Sequence, residues 1–230
     1  MNTQASTIIE SYFNFIEEKG FPCIAAKAAL AGNTIKCYVA EHMACPESDF
    51  EILRFLYSFV DTLRQTGGGQ YLSAVALFKK PHFDNEEFFD KIFWQRLQAI
   101  SDLDAQHHGY DRRVDNDPTS AHFSFSIREE AFYIIGLHPA SGRKARRFSF
   151  PAIVFNPHSQ FVSLRERDKY ESMRTAVRKR DIKYSGSVNP MLADFGESSE
   201  VYQYSGLQYD KNWKCPFRPK HKDAKYNSST

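Results

Sequence analysis

The sequence predicts an α+β fold with a mixed, largely antiparallel β-sheet that contains a three-strand meander and packs against several amphipathic helices. In the first half, stretches with apolar residues three or four positions apart alternate with short apolar runs, which indicates alternating helices and strands. From residue 122 onward, three apolar runs are joined by short turns, as in an antiparallel meander. We find no linker, and therefore predict one domain over residues 1–217 and a disordered tail over residues 218–230.

The helices follow from apolar stripes and from the residues that end them. The first stripe stops at Gly20 and Pro22, and the next stops at a run of glycines. The last predicted helix is strongly charged and carries a narrow apolar stripe of Tyr170, Met173 and Val177. The predicted helices cover residues 6–18, 46–66, 84–100 and 163–181. The predicted strands cover residues 34–43, 71–78, 122–127, 131–137 and 148–155.

Composition narrows the classes of function. The formal net charge is only +2, which gives no general reason to expect nucleic acid. Residues 1–20 alternate polar and apolar side chains at helical spacing and carry acids, so we expect neither a signal peptide nor a membrane span, and we predict a cytoplasmic protein. The 4 cysteines show no CxxC spacing, so we expect free thiols. With 20 Phe and 12 Tyr, a core or pocket rich in flat rings would suit a large planar ligand.

Two histidines stand beside prolines at the ends of apolar runs. His138 closes one predicted strand and His158 closes the next. Such positions are typical of hydrogen-bonded turn histidines, but they are also where a rigid scaffold presents ligands and catalytic groups. In a simple meander these two histidines lie at opposite ends of adjacent strands, which makes a site shared by both difficult to build.

The loop after His138 concentrates positive charge. Arg143, Arg146 and Arg147 follow it closely, and a guanidinium grips carboxylate or phosphate through two parallel hydrogen bonds. Haem propionates, phosphates and an RNA backbone are all suitable ligands, and a solvated surface turn is the alternative. The basic helix over residues 165–183 would extend an RNA surface, although acidic residues dilute it and no known nucleic-acid motif accompanies it.

A short segment near the C-terminus supplies the opposite charge. Asp194, Glu197 and Glu200 lie within seven residues of an irregular stretch, so their carboxylates can converge on a cationic ligand such as a guanidinium. A solvated acidic loop is the alternative explanation. Cys215 precedes Pro216, an arrangement compatible with a haem thiolate or with a buried structural cysteine.

Several stretches together resemble the YqcI/YcgG family. They are "FPCIAAKAAL" (21–30), "GLHPASGRKARRF" (136–148), "VFNPHSQF" (154–161), "YSGSVNPMLADFGESSE" (184–200) and "WKCPF" (213–217). Members of this family with an assigned activity are haem-dependent enzymes that N-hydroxylate a guanidino group of arginine or an arginine-like compound. Two positions depart from the family's pattern, Gly142 in place of serine and Leu207 in place of arginine, and the second bears on the choice of substrate.

The resemblance implies a b-type haem, a small guanidino substrate, and dioxygen or peroxide as the oxidant. The chain has no flavin or nicotinamide fingerprint, so reduction by NAD(P)H would require an electron-donor protein. We expect neither nucleic acid nor membrane as a partner. A haem sensor or carrier, and an RNA-binding protein that uses the basic loop 143–147, are the alternatives.

Residues for such a site can be named. We predict His158 as the iron ligand, with His138 and then Cys215 as alternatives, and Phe155 and Phe161 against the porphyrin. His138 would otherwise deliver protons, and Glu197 is the leading candidate for holding the guanidinium. The predicted catalytic residues are therefore His138 and Glu197. The propionate-binding set is Arg143, Arg146 and Arg147, and the substrate-binding set is Asp194, Glu197 and Glu200.

Overall fold

The computed structural model describes residues 3–66, 71–166, 170–191 and 196–221, and its centre is a five-stranded sheet. The strands lie in the order β1-β2-β5-β4-β3, and β1 pairs with β2 in parallel while the other three pairs are antiparallel. The bounds are Ile35–His42 (β1), Ser73–Lys80 (β2), Phe125–Ile127 (β3), Glu130–Leu137 (β4) and Ala152–Pro157 (β5). The mixed sheet and the β3-β4-β5 meander confirm the predicted fold class.

Helices cover both faces of this sheet. Their bounds are Thr3–Glu17 (α1), Ile24–Ala31 (α2), Asp49–Thr66 (α3), Glu86–Asp104 (α4), His158–Glu166 (α5), Tyr170–Ser185 (α6) and Val201–Tyr204 (α7). Alternate residues of β2 show how the two faces are used, because successive side chains of a strand point to opposite sides. Val75 and Leu77 pack with α1 and α2, whereas Ala74, Ala76 and Phe78 pack with α3 and α4.

Gly136 sets the distance between β4 and α4. A Cβ atom at this position would lie 2.9 Å from the Phe89 ring and 3.1 Å from the Phe93 ring. The absence of a side chain therefore lets two large rings of α4 rest directly on the strand. This close contact lies one residue before the end of β4, and it bears on the environment of His138.

The local differences from the sequence-based expectations have simple causes. Helix α2 was not predicted because its eight residues, IAAKAALA, form no apolar stripe, although alanine has the highest helix propensity. Its first turn is capped by Cys23, whose Sγ accepts a hydrogen bond from Ala26 N at 3.4 Å. The predicted helix over residues 163–181 corresponds to parts of α5 and α6, and residues 167–169 lie outside the described part of the chain.

The C-terminal segment is described as far as His221. Its imidazole Nε2 lies 2.9 Å from Asp104 Oδ2 on α4, and Arg218 N donates to Gln98 Oε1 at 2.8 Å. Four residues of the predicted tail thus belong to the folded domain, and residues 222–230 lie outside the described residues. Within the described ranges, no helix combines the length and the apolar character needed to cross a bilayer.

Candidate functional site

A cavity of about 250 Å³ lies beside the meander, between the start of α2, the strands β4 and β5, and the helices α5 and α6. The segment 196–203 contributes to its wall as well. The lining residues are Cys23, Ala25, Ala121, Tyr133, Ile135, Asn156, His158, Phe161, Tyr170, Met173, Arg174, Val177, Arg178, Gly196, Ser198, Glu200 and Gln203. Aromatic and aliphatic groups therefore make much of the wall, and a few polar groups stand among them, as is typical of small-molecule sites.

Helical and strand periodicity explain which residues line the cavity. Tyr133 and Ile135 are two positions apart on β4 and so point to the same face of the sheet. On α6 the lining residues recur at intervals of three and four, which places them on one face of the helix. The stripe of Tyr170, Met173 and Val177 seen in the sequence is therefore the roof of this cavity.

His158 lies at the junction between β5 and α5. Pro157 is the last residue of β5 and His158 is the first residue of α5, so the histidine backbone is fixed by a strand on one side and a helix on the other. Its side chain is half-buried and lines the cavity. Cys23 is a second soft donor in the wall, but burial raises the pKa of its thiol, which favours the neutral form.

Polar groups from three elements meet at another part of the wall. The Tyr133 hydroxyl donates to Gln203 Oε1 at 2.5 Å, and burial raises the pKa of this phenol. Glu200 accepts hydrogen bonds from the hydroxyl of Ser124 at 2.7 Å and from that of Tyr204. A carboxylate, an amide and a phenol thus stand side by side, and this set can hydrogen-bond a cation that carries several N–H groups.

His138 lies in a different environment. It follows the last residue of β4, its side chain is fully buried, and its ring stacks on Phe89 with 4.0 Å between ring centres. Neither ring nitrogen has a hydrogen-bond partner in the structure. Burial, together with the nearby Arg146, lowers the pKa of His138 from 6.5 to about 4, so the ring is neutral at pH 7. His138 does not line the cavity.

The arginines of the loop after His138 contact the protein itself. Arg146 is buried, and its guanidinium donates to the carbonyl oxygens of Gly136, Gln203 and Tyr204 at 3.3, 2.6 and 2.9 Å. Arg143 is also buried and donates to Asp181 Oδ2 at 2.5 Å. The Arg147 guanidinium donates to the carbonyls of Ser141 and Gly142, which belong to its own loop. The guanidinium groups of Arg143 and Arg146 therefore hold α6 and α7 against the end of β4.

The remaining candidates are spread over the molecule. Phe161 lines the cavity, with its ring 5.9 Å from that of Tyr133, whereas Phe155 is fully buried on the α3 and α4 side. Glu197 is exposed between two lining residues, and Asp194 lies outside the described residues. Cys215 is buried away from the cavity, and burial raises the pKa of its thiol to about 12.

The cavity thus brings together three of the predicted residues, His158, Phe161 and Glu200. Sequence reasoning missed Cys23, Tyr133 and Gln203, which carry no motif of their own. Arg174 and Arg178 were also missed, although the sequence contained a usable signal. They follow Met173 and Val177 directly, so the apolar stripe already placed them next to the partly buried face of α6.

The chain is similar to known proteins over most of its length. The family model described as "YqcI/YcgG family" matches residues 12–218. The chain belongs to the YqcI/YcgG family. A relative from Bacillus subtilis (strain 168), named "Uncharacterized protein YqcI", is 24% identical over 221 residues, which covers 89% of this chain and 85% of the relative. No solved structure matches the chain. The whole of the cavity wall falls within the part that the YqcI/YcgG model covers.

Proposed function

We propose that this YqcI/YcgG protein is a haem-dependent monooxygenase that N-hydroxylates a guanidino substrate in the cavity beside the meander. The observation that supports this most directly is that the cavity combines His158 and Phe161 with Glu200. A potential iron ligand, an aromatic wall and an acid suited to a guanidinium thus line one cavity. The family resemblance supplies the reaction type.

The donor set of the cavity fits a b-type haem. Haem iron needs only one or two ligands from the protein, and histidine, cysteine, methionine and tyrosine all serve in this role. His158 suits it best, because its backbone is held between strand and helix and its side chain lines the cavity, while burial raises the pKa of the Cys23 thiol and favours its neutral form. Among the described residues, no group of three or more His, Cys, Asp or Glu side chains could hold a metal ion, and a single-ligand haem requires no such group.

Two arginines on α6 offer positive charge for the propionates. Arg174 and Arg178 are four residues apart and both line the cavity, and Arg174 also pairs with Glu171 on the same helix. Arg143 and Arg146 do not line the cavity, and they are bonded to protein groups elsewhere. Arginine forms bidentate hydrogen bonds with carboxylates, which would orient the porphyrin as well as attract it. The loop 143–147 correspondingly lends little support to RNA binding, since two of its three arginines are buried.

Chain residues would position the substrate for the reaction. When bound, haem supplies the activation of oxygen that inserts one oxygen atom into an N–H bond. Glu200 and Gln203 would bind the guanidinium, and the Tyr133 hydroxyl would hold Gln203 in its orientation. The walls formed by Phe161, Met173 and Val177 would exclude bulk water. Glu197 stays a predicted substrate contact at the rim.

Reconstitution tests the haem site. The protein is expressed with a haem precursor, and its absorption spectrum is compared with those of His158→Ala, His138→Ala and Cys215→Ser. We expect a Soret band in the parent protein, its loss in His158→Ala, and recovery of that variant alone by added imidazole. A preparation that acquires no Soret band at any haem supply would exclude this function. An unchanged spectrum in His158→Ala would move the ligand elsewhere.

Product analysis tests the reaction. The haem-loaded protein is incubated with arginine and related guanidino compounds, either with peroxide or with dioxygen and a reductant, and products heavier by one oxygen atom are sought by mass spectrometry. Glu200→Gln should weaken substrate binding by about tenfold or more, because a charge-assisted hydrogen bond contributes about 1.5–3 kcal/mol. Glu197→Gln, at the exposed rim, is the matched comparison. Haem binding without any oxidised product would instead indicate a haem sensor or carrier.

A further inference from the structure

A row of aromatic rings leads from the cavity through the interior to a half-buried ring near the surface. Tyr133 lines the cavity, and its ring centre lies 5.8 Å from that of Tyr204. The ring of Tyr204 lies 6.1 Å from that of Trp94, which in turn lies 6.0 Å from that of Trp213. These four residues, called the ring row below, come from β4, α7, α4 and the segment after α7. Their sequence positions gave no hint of this alignment.

The ring row is buried in its middle and open at its ends. Tyr204 is 0% exposed and Trp94 3% exposed, while Tyr133 and Trp213 are half-buried. At the outer end, Trp213 stacks on Tyr209 with 3.6 Å between ring centres. Trp94 also contributes to a surface groove with Asp90 and Pro216. Each ring of the row therefore contacts the next, and the row forms a continuous path between the cavity and the half-buried Trp213.

Two carboxylates accept hydrogen bonds from phenols in or beside this row. The Tyr204 hydroxyl donates to Glu200, and the Tyr209 hydroxyl donates to Asp90. Trp94 Nε1 donates to Asp90 Oδ1 at 3.0 Å. Burial raises the pKa of Asp90, and burial together with Glu200 raises the pKa of Tyr204 well above its usual value. Burial also raises the pKa of Tyr209. Both phenols are consequently neutral at pH 7, and each has an acceptor within reach for its proton.

The neighbouring rings differ in chemistry. Phe93 lies next to Trp94, and Phe123 lies next to Tyr204, both in the same buried cluster. Phenylalanine packs as well as tyrosine or tryptophan, but its ring resists one-electron oxidation, whereas phenol and indole rings lose an electron much more readily. The hydroxyls of Tyr133 and Tyr204 and the indole N–H of Trp94 also make hydrogen bonds within the fold. These separate hydrogen bonds do not account for the contact of all four oxidisable rings in one continuous row.

We propose that the ring row carries single electrons from the protein surface to the cavity. The proposal rests on the haem function for the oxidant, which peroxide generates in the cavity, and a small one-electron donor in solution is the reductant. The oxidant would draw an electron from Tyr204 across the intervening ring of Tyr133, and the electron hole would then pass through Trp94 to Trp213, where the donor fills it. The Tyr204 proton passes to Glu200 on oxidation and returns on reduction. The net change is one electron gained in the cavity and one lost by the donor.

Mapping of oxidised residues tests the row in the haem-loaded protein. One equivalent of hydrogen peroxide is added without substrate, radicals are trapped by freezing for electron paramagnetic resonance, and oxidised side chains are located by mass spectrometry. We expect oxidation of Trp213 and Tyr209 in the parent protein and its loss in Trp94→Phe. Tyr38→Phe, on the far edge strand β1, is the matched control and should leave the pattern unchanged.

A second measurement does not require haem. A photo-oxidant is attached to Cys23 in the cavity wall, in a background with Cys37→Ser, Cys45→Ser and Cys215→Ala, and tryptophan radicals are followed by transient absorption after a flash. The radical should form in this background, persist in Trp213→Phe, where Trp94 remains, and disappear in Trp94→Phe. Tyr204→Phe keeps the ring and most of its packing, and serves as a second interruption if Trp94→Phe does not fold.

The outcomes separate the two proposals. Tryptophan radicals in the flash experiment, without any Soret band on reconstitution, would support the ring row and exclude the haem function. A haem-loaded protein whose Trp213 is oxidised equally with and without Trp94→Phe would overturn the ring row and leave the haem function intact. Absence of a tryptophan radical after the flash in the folded, labelled background would overturn it as well.

Discussion

At each end of the β4-β5 pair, a histidine beside a proline follows the last residue of a strand. The two histidines nevertheless lie in opposite environments. At one end Leu137 faces Ala152, and His138 follows; at the other Phe132 faces Pro157, and His158 follows. The ladder between them contains six residue pairs and is about 17 Å long. His138 is sealed against Phe89 beneath a buried arginine, whereas His158 faces a cavity.

The difference shows that a histidine beside a proline does not by itself define a ligand. At the His138 end, Gly136 admits the rings of α4 and Arg146 satisfies three carbonyls, so the space is filled by protein. At the His158 end, α6 stands over the sheet without filling the space beneath it. The chemistry of the two histidines therefore follows from what packs above each strand end.

The largest effect on stability is expected when the buried guanidinium at the His138 end is removed. Arg146→Ala should lower the free energy of unfolding by about 3–5 kcal/mol, because three buried carbonyl oxygens lose their donor. Urea denaturation monitored by circular dichroism measures this change. Arg147→Ala removes an exposed guanidinium from the same loop and should change stability by less than about 1 kcal/mol. Equal losses in the two variants would contradict the assignment of Arg146 as the connection between β4 and α7.

The next effect concerns the buried imidazole. His138 resists protonation down to about pH 4 in the folded protein but takes up a proton near pH 6.5 when unfolded. The unfolded state thus binds more protons between these values, so stability should fall by about 3 kcal/mol as the pH is lowered from 6.5 to 4. His138→Phe should remove this part of the pH dependence while leaving stability at pH 8 little changed.

Unfolding curves at several pH values provide the measurement for His138. His82→Gln is the matched control, because the His82 side chain is 71% exposed, and folding therefore changes its surroundings little. The same slope in His138→Phe and in the parent protein would show that the buried imidazole is not the group responsible.

The smallest effect on stability is expected at the open end. Phe161→Ala should lower the free energy of unfolding by only about 1–2 kcal/mol, since the ring is half-buried in the cavity wall, but it should reduce haem retention. Phe155→Ala, which empties a fully buried core position, should cost about 3–5 kcal/mol. Thermal unfolding and Soret absorbance would be measured on both. A Phe161→Ala variant that retains haem fully would remove this ring from the porphyrin contact.

The sequence by itself determined the fold class, the order of most elements and the meander. Apolar residues at a period of two or of 3.6 report which side of an element is buried, and this holds regardless of the partner that buries it. For the same reason the stripe of Tyr170, Met173 and Val177 correctly marked one face of a helix. The family also followed from local motifs, because those are stretches of sequence rather than contacts.

Only the tertiary structure decided which polar groups share a space. Glu200 reaches the cavity while Cys215 does not, and Arg146 bonds to carbonyls 57 and 58 residues away along the chain. Charge and residue type are local properties, but burial and hydrogen-bond partners depend on segments that meet only after folding. The alignment of Tyr133, Tyr204, Trp94 and Trp213 is of this kind, because four separate elements had to pack before their rings formed a row.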